Sequence, residues 1–192
     1  MKITWIDAAS QTVSRWSGGT TTQIAICPPD ALYADRDFLW RVSSAVVELP
    51  ESDFTPLPDY DRILMILDGE LSLSHDGGDE YVLHPLEQTA FDGASATFSR
   101  GRVTDFNLMM RKDRCVGRVE ARELTIGKWS DMLLSEYESH LLYCVDGEAE
   151  IALGERTYHI AKGEALLIDG DDEISCEILG RATVVLAEMK TK

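Results

Sequence analysis

The sequence predicts an all-β fold made of two similar units. Three observations predict it. Apolar and polar residues alternate with a period of two in short runs, Asp-Gly signals separate those runs, and one set of markers recurs about 77 positions later.

Residues 20–26, 38–47, 62–67, 104–110 and 116–125 all have strand character, rich in Val, Ile, Thr and aromatic side chains. Residues 148–153 place Ala149, Ile151 and Leu153 on one face and Glu148 and Glu150 on the other. Residues 181–187 form a β-branched run that closes the chain. Turn signals stand at Asp68-Gly69, Asp76-Gly77-Gly78-Asp79, Asp92-Gly93, Asp146-Gly147 and Asp169-Gly170. No stretch carries a long 3.6-residue period. Many short strands with regular turns indicate a sandwich or barrel.

The repeat sets the domain organisation. Asp68-Gly69-Glu70 recurs as Asp146-Gly147-Glu148, 78 positions on, while Tyr81 recurs as Tyr158 and Asp92-Gly93 as Asp169-Gly170, each 77 on. Two β-units follow, over residues 1–110 and 111–192, with terminal strands free to exchange between them. The basic stretch 111–118 is the joint, read as a solvated face.

Composition narrows the function. The 192 residues include 34 acidic and 18 basic ones, a net charge of −16. A phosphate backbone or anionic membrane would be repelled over most of this surface, so neither nucleic acid nor membrane is an expected partner. A small anion needs only one local cationic pocket. No apolar run approaches the ~20 residues of a membrane helix. Residues 1–7 lack the apolar core of a signal peptide, and a cytoplasmic location is expected. Cys27, Cys115, Cys144 and Cys176 are widely spread, as reduced structural thiols would be.

The Gly-Glu turn, the hairpin after it and the later Asp-Gly turn resemble the two motifs of a cupin, a small jelly-roll β-barrel; two copies would make a bicupin. Metal-binding cupins carry an H-x-H pair and a glutamate before the first turn glycine, and another histidine after the second turn. Here residues 55–62 hold no histidine, Arg62 stands about where the glutamate would be, and Ala94-Ser95-Ala96 follows Gly93. The second copy offers Glu136, Glu138, His140, Asp171, Asp172 and Glu173. These read either as a metal site or, more simply, as the turn carboxylates of an acidic protein. His75, His84 and His159 lie far apart with no ligand spacing. No metal or other cofactor is expected.

A closer resemblance covers nearly the whole chain. Trp16-Ser17-Gly18-Gly19-Thr20-Thr21-Thr22-Gln23, Phe38-Leu39-Trp40-Arg41-Val42-Ser43-Ser44-Ala45, Phe54, Asp61-Arg62, Phe91-Asp92-Gly93 and Asp105-Phe106-Asn107-Leu108-Met109, in that order, resemble the HutD/Ves family. The resemblance implies a metal-poor bicupin. Some members accompany histidine-degradation enzymes and others are described as stress-related. A small carboxylate such as N-formylglutamate has been suggested as a ligand of the histidine-linked branch.

Strand parity locates a candidate site. Arg41, Ser43 and Ala45 share one face of their strand, opposite Trp40, Val42 and Val46. Asp105, Asn107 and Met109 share one face of theirs, opposite Phe106, Leu108 and Met110. Three arrangements fit. The polar faces meet water, a buried Arg–Asp pair fixes the barrel, or Arg41, Ser43, Asp105 and Asn107 converge in a ligand pocket. Arg41 and Arg62 would grip a carboxylate through their planar forks. Gly18 and Gly19 would let the backbone approach, with Thr20 in the same block. Trp16 would be either a lid over the ligand or a core anchor. Gly18-Gly19 lacks the third glycine and following helix of a dinucleotide loop.

The expected function is binding of a small carboxylate metabolite, as a sensor or regulator. Two alternatives stay open: a metal-independent isomerase or hydrolase, or an interaction protein with a homodimer formed at its sheet edges. No Ser-His-Asp or Cys-His constellation supplies a catalytic residue, although Asp105, Glu48 and the scarce histidines are candidate acids or bases.

Overall fold

The computed structural model describes residues 1–124, 130–134, 136–170 and 174–192. It is all-β. The strands are β1 (Lys2–Ile6), β2 (Thr12–Trp16), β3 (Gly19–Cys27), β4 (Trp40–Val47), β5 (Glu51–Asp53), β6 (Tyr60–Asp68), β7 (Leu71–His75), β8 (Tyr81–Leu83), β9 (Gln88–Asp92), β10 (Thr97–Arg100), β11 (Thr104–Arg111), β12 (Cys115–Glu123), β13 (Ser130–Leu134), β14 (Ser139–Leu153), β15 (Arg156–Ala161), β16 (Ala165–Asp169) and β17 (Ile174–Thr191). Two single-turn 3-10 segments, Ala8–Ser10 and Tyr33–Asp35, interrupt them. Among the described residues no helix is long and apolar enough to cross a membrane.

The chain divides into two compact units. One comprises Thr12–Val116; the other joins Met1–Gln11 to Gly117–Lys192. The boundary therefore falls a few residues past position 110, and the first eleven residues belong with the C-terminal portion.

The Thr12–Val116 unit holds two open sheets, one ordered β2-β3-β4-β11-β6-β9 and one ordered β5-β10-β7-β8. Neither closes into a barrel; each ends in edge strands. β4 and β11 lie inside the larger sheet and are buried on both faces, which explains their near-continuous burial. Val47, Leu64 and Ile66 of the larger sheet pack with Leu71, Leu73 and Leu83 of the smaller one and with Val103. A second cluster gathers Ile26, Phe38, Leu57, Tyr60 and Met109. Phe38 stacks on Tyr60 with centroids 4.3 Å apart, and the Tyr60 hydroxyl donates to the Arg36 carbonyl at 2.9 Å.

The other unit is one sheet, ordered β1-β16-β14-β17-β12, with β13 on β17 and β15 on β14. β14 pairs with β16 through residues 139–143 and with β15 through residues 148–153. Asp146-Gly147 does not end a strand as its turn signal predicts. It lies inside β14, at a register shift against β17. Leu142, Ile151, Ile168, Ile178 and Val184 form the centre of this core, and Ile3 of β1 packs against it.

The same backbone hydrogen bonds occur in both units. Ile66 N–H donates to Glu87 O, Leu86 N–H to Ile66 O, Glu87 N–H to His84 O and Gly93 N–H to Tyr60 O. Cys144 N–H donates to Glu164 O, Gly163 N–H to Cys144 O, Glu164 N–H to Ala161 O and Gly170 N–H to Glu138 O. Every position is displaced by 77 or 78 residues. The carboxylates of Glu87 and Glu164 accept the N–H of His84 and Ala161, each at 2.8 Å.

Candidate functional site

Antiparallel register turns strand parity into a two-dimensional grid. Across β4, β11 and β6, Arg41 stands opposite Met109 and Met109 opposite Arg62. The next row is Ser43, Asn107 and Leu64; the next is Ala45, Asp105 and Ile66. On the other side of β4, Gln23 of β3 faces Ser43 and Thr21 faces Ala45. Two arginines thus flank a methionine at one end of the face, with aliphatic residues at the other.

This face lines a cavity of about 590 Å³. Trp16, Arg41, Ser43, Arg62, Asp105 and Asn107 all line it. Arg41, Arg62, Asp105 and Asn107 are only 4%, 7%, 5% and 6% exposed, so their strand faces do not simply meet water. Nor is there a structural Arg–Asp pair. Among the described residues Asp105 forms no ion pair with Arg41 or Arg62. Arg41 Nε instead donates to Gln23 Oε1 at 2.8 Å, and its Nη1 donates to Ser43 Oγ at 3.0 Å. Arg62 lies over the rings of Phe54 and Phe91, 4.9 and 5.2 Å from their centroids.

Among the described residues four buried polar atoms of the site lack a partner: Arg36 Nη1, Arg62 Nε, Asp105 Oδ1 and Asn107 Oδ1. Leaving such groups unpaired costs about 1–3 kcal/mol each, a cost that a ligand or water can remove. Burial shifts their ionisation. It lowers Arg41 from the usual arginine range, and lowers Arg62 to about 10 against the opposing pull of Asp105. Burial raises Asp105 to about 7, opposed by the Arg62 charge and by a hydrogen bond from the Ala45 backbone N–H.

Gly18, Gly19 and Thr20 do not line the cavity. Thr20 pairs with Val46, one step out of phase with the site, and Thr21 takes the lining position. Gly18 makes room for Trp16: a Cβ there would lie 1.9 Å from the indole ring. Gly19 has φ of +152°, and a Cβ would lie 1.9 Å from Val46 O. Both glycines shape the wall of the site from behind. Trp16 is 39% exposed, a cavity wall rather than a core anchor.

Sequence reasoning missed the segment after β3. Tyr33 and Arg36 line the cavity, and the Tyr33 ring is held between the guanidiniums of Arg36 at 3.7 Å and Arg41 at 4.2 Å. No periodic signal marks this single-turn segment. Phe54 was visible only as a family position. In the second unit, both His140 ring nitrogens are occupied, by Glu188 Oε1 at 3.1 Å and Tyr137 O at 2.9 Å, and Glu188 also pairs with Arg118. Asp171, Asp172 and Glu173 lie outside the described residues. Among the described residues no three His, Cys, Asp or Glu side chains are grouped to hold a metal.

The sequence profile of the HutD family matches residues 8–186. The chain belongs to the HutD family. Protein Ves of Cronobacter sakazakii is 29% identical over 184 residues, covering 80% of this chain and 98% of that protein. A conserved protein of unknown function from Pseudomonas aeruginosa PAO1 superposes with a TM-score of 0.88 at 23% identity, over 99% of this chain and 100% of its own. HutD of Pseudomonas fluorescens SBW25 gives 0.80 at 23% identity with full coverage of both chains. The bacterial pirin YhhW of Escherichia coli, solved with nickel(II), gives 0.74 at 10% identity over 97% of this chain and 98% of that one. These likenesses show a shared cupin-like fold. The general cupin pattern implies a metal, but the cavity of this HutD-family chain does not fit one. Its charged wall sets three guanidiniums, of Arg36, Arg41 and Arg62, against the two carboxylates of Asp53 and Asp105, an excess of positive charge that repels a cation.

Proposed function

We propose that the Thr12–Val116 cavity binds a small carboxylate metabolite and that the protein acts as a sensor or regulator of it. One observation carries this reading: Arg62, nine-tenths buried with its Nε unpartnered, lines the same cavity as Arg41. A buried arginine without a carboxylate partner is costly, and an anionic ligand supplies that partner. Asn107 Oδ1 offers an acceptor for a hydroxyl or amide on the same ligand. Among the described residues no histidine or cysteine lines the cavity, which favours binding over nucleophilic chemistry. In this reading the two units are copies of one cupin-like module, supported by the hydrogen bonds repeated at 77–78 positions. Cys144 and Cys176 are buried with thiols pushed up to about 11 and about 12 by burial, as suits structural thiols in a reducing cytoplasm. A link to histidine degradation or stress belongs to the same proposal, resting on family membership.

A thermal-shift panel of carboxylates, amines, sugars and divalent metals, with chelator controls, tests it. A carboxylate at about a hundred times its Kd adds ~2.7 kcal/mol, a rise of about 5–10 °C at this size. Arg62→Gln and Arg41→Gln should each weaken binding about 10- to 100-fold, and Arg62→Gln should stay folded because Arg62 holds no ion pair among the described residues. A shift seen only with metals would overturn the reading.

One feature favours a second reading. Asp105, titrating at about 7 in a cleft, has the acidity of a general acid or base. A metal-independent isomerase or hydrolase would then turn over the carboxylate it binds; recovery of the bound compound unchanged would remove this alternative.

A further inference from the structure

Asp105 stands on the middle strand of the grid, in the row farthest from the Arg41–Met109–Arg62 row, with one buried oxygen that lacks a partner among the described residues. Arg62 on β6 is the charge that acts on it, and Arg41 on β4, Tyr33 and Arg36 from the segment after β3 and Asp53 at the end of β5 line the same cavity. Its carboxylate accepts a hydrogen bond from the Ala45 N–H of β4. No cation is within ion-pair distance among the described residues, so the carboxylate is held by the more distant Arg62 charge alone.

We propose that binding of a carboxylate in this cavity is coupled to uptake of one proton at Asp105, so that the site responds to anion and acidity together and loosens its hold as pH rises. The inference rests on the carboxylate reading above. Three effects act in the same direction. A bound anion neutralises Arg62, the charge that favours ionised Asp105. It sets a second negative charge beside the first. It also displaces water from an already buried carboxyl group. The proton comes from solvent, joins the Asp105 carboxylate and returns to solvent on release. Once protonated, Oδ1 can become an O–H donor to the ligand carboxylate, a short and strong hydrogen bond. Burial already brings Asp105 to about 7, so little is needed to complete the change. An ammonium ligand would do the opposite: it would pair with ionised Asp105 and release a proton. The sign of proton exchange therefore reports the ligand class.

The test uses the full chain with ¹³C-labelled aspartate carboxyls, Asp105 being assigned by its loss in Asp105→Asn. Its resonance is followed through pH with and without excess sodium succinate. Calorimetry with succinate in two buffers of different ionisation enthalpy counts the protons. The expected result is a midpoint near neutral in the free protein, an upward move of at least about one pH unit with succinate, and net proton uptake. Affinity should fall by up to about tenfold per pH unit between the free and the bound midpoints and level off on either side. A free midpoint in the ordinary aspartate range overturns the inference, as does a midpoint unmoved or lowered by bound succinate. Absence of binding by succinate, acetate and the carboxylates of the panel would overturn the carboxylate reading itself; binding without proton exchange overturns only the coupling.

Discussion

Asp105 makes the site dependent on pH even without ligand. Its folded value is raised to about 7 from an ordinary 3.8, so between these values the folded state binds more protons than the unfolded state. Stability therefore falls as pH rises through this window and is flat on either side, so far as this group is concerned. The shift corresponds to roughly 4 kcal/mol at about 1.36 kcal/mol per pH unit. Asp105→Asn keeps an acceptor for Ala45 N–H and has no charge to bury. Urea unfolding at pH 4 and pH 8 should show the variant gaining on the wild type by a few kcal/mol at the higher pH. An equal difference at both values would show that Asp105 ionises freely in the folded protein.

At the scale of the element, the β2–β3 hairpin demonstrates how a wall residue is positioned by residues outside the cavity. Gly18→Ala places a methyl against the Trp16 ring, the end of a movable side chain. The indole should swing away, seen as a change in tryptophan emission with a small loss of stability. Gly19→Ala meets the Val46 carbonyl, which is backbone, at an unfavourable φ. It should cost about 1–3 kcal/mol and loosen β3 from β4. Equal and slight effects of the two changes would show that the hairpin adapts to either.

The first eleven residues belong to the C-terminal portion at the scale of the whole molecule. β1 pairs along β16 from Lys2↔Asp169 to Ile6↔Ala165, and Gln11 Nε2 donates to Gly163 O at 2.7 Å. Removing residues 1–11 uncovers β16 and takes Ile3 from its core, costing about 2 kcal/mol or more. Hydrogen exchange should show residues 165–169 losing protection while carboxylate binding in the Thr12–Val116 unit persists. Loss of binding with intact protection at 165–169 would contradict this division.

Much of the site was legible because a strand has a period of two. Once 38–47 and 104–110 are strands, Arg41 and Ser43 must share a face, as must Asp105 and Asn107, but whether that face meets water, an ion-pair partner or a pocket was decided only by the burial of these side chains. The motif at 16–20 was harder to read. A glycine that shapes a wall and one that touches a ligand look identical in sequence, and a one-residue difference in phase separates Thr20 from Thr21. Tyr33 and Arg36 were illegible, since they come from an irregular segment and meet Arg41 only through tertiary packing.

The sequence by itself determined the all-β class, the family, the repeated turn markers and the parity of the site strands, because these depend on local spacing. Only the tertiary structure decided which strands neighbour one another, that Asp146-Gly147 continues a strand, and that β1 joins the C-terminal sheet. It also decided that Arg62 lies one strand beyond Met109 from Arg41, with no carboxylate paired to it. Those features are set by strand register and burial between segments distant in the chain, where hydrogen bonding and desolvation act on neighbours that no local pattern specifies.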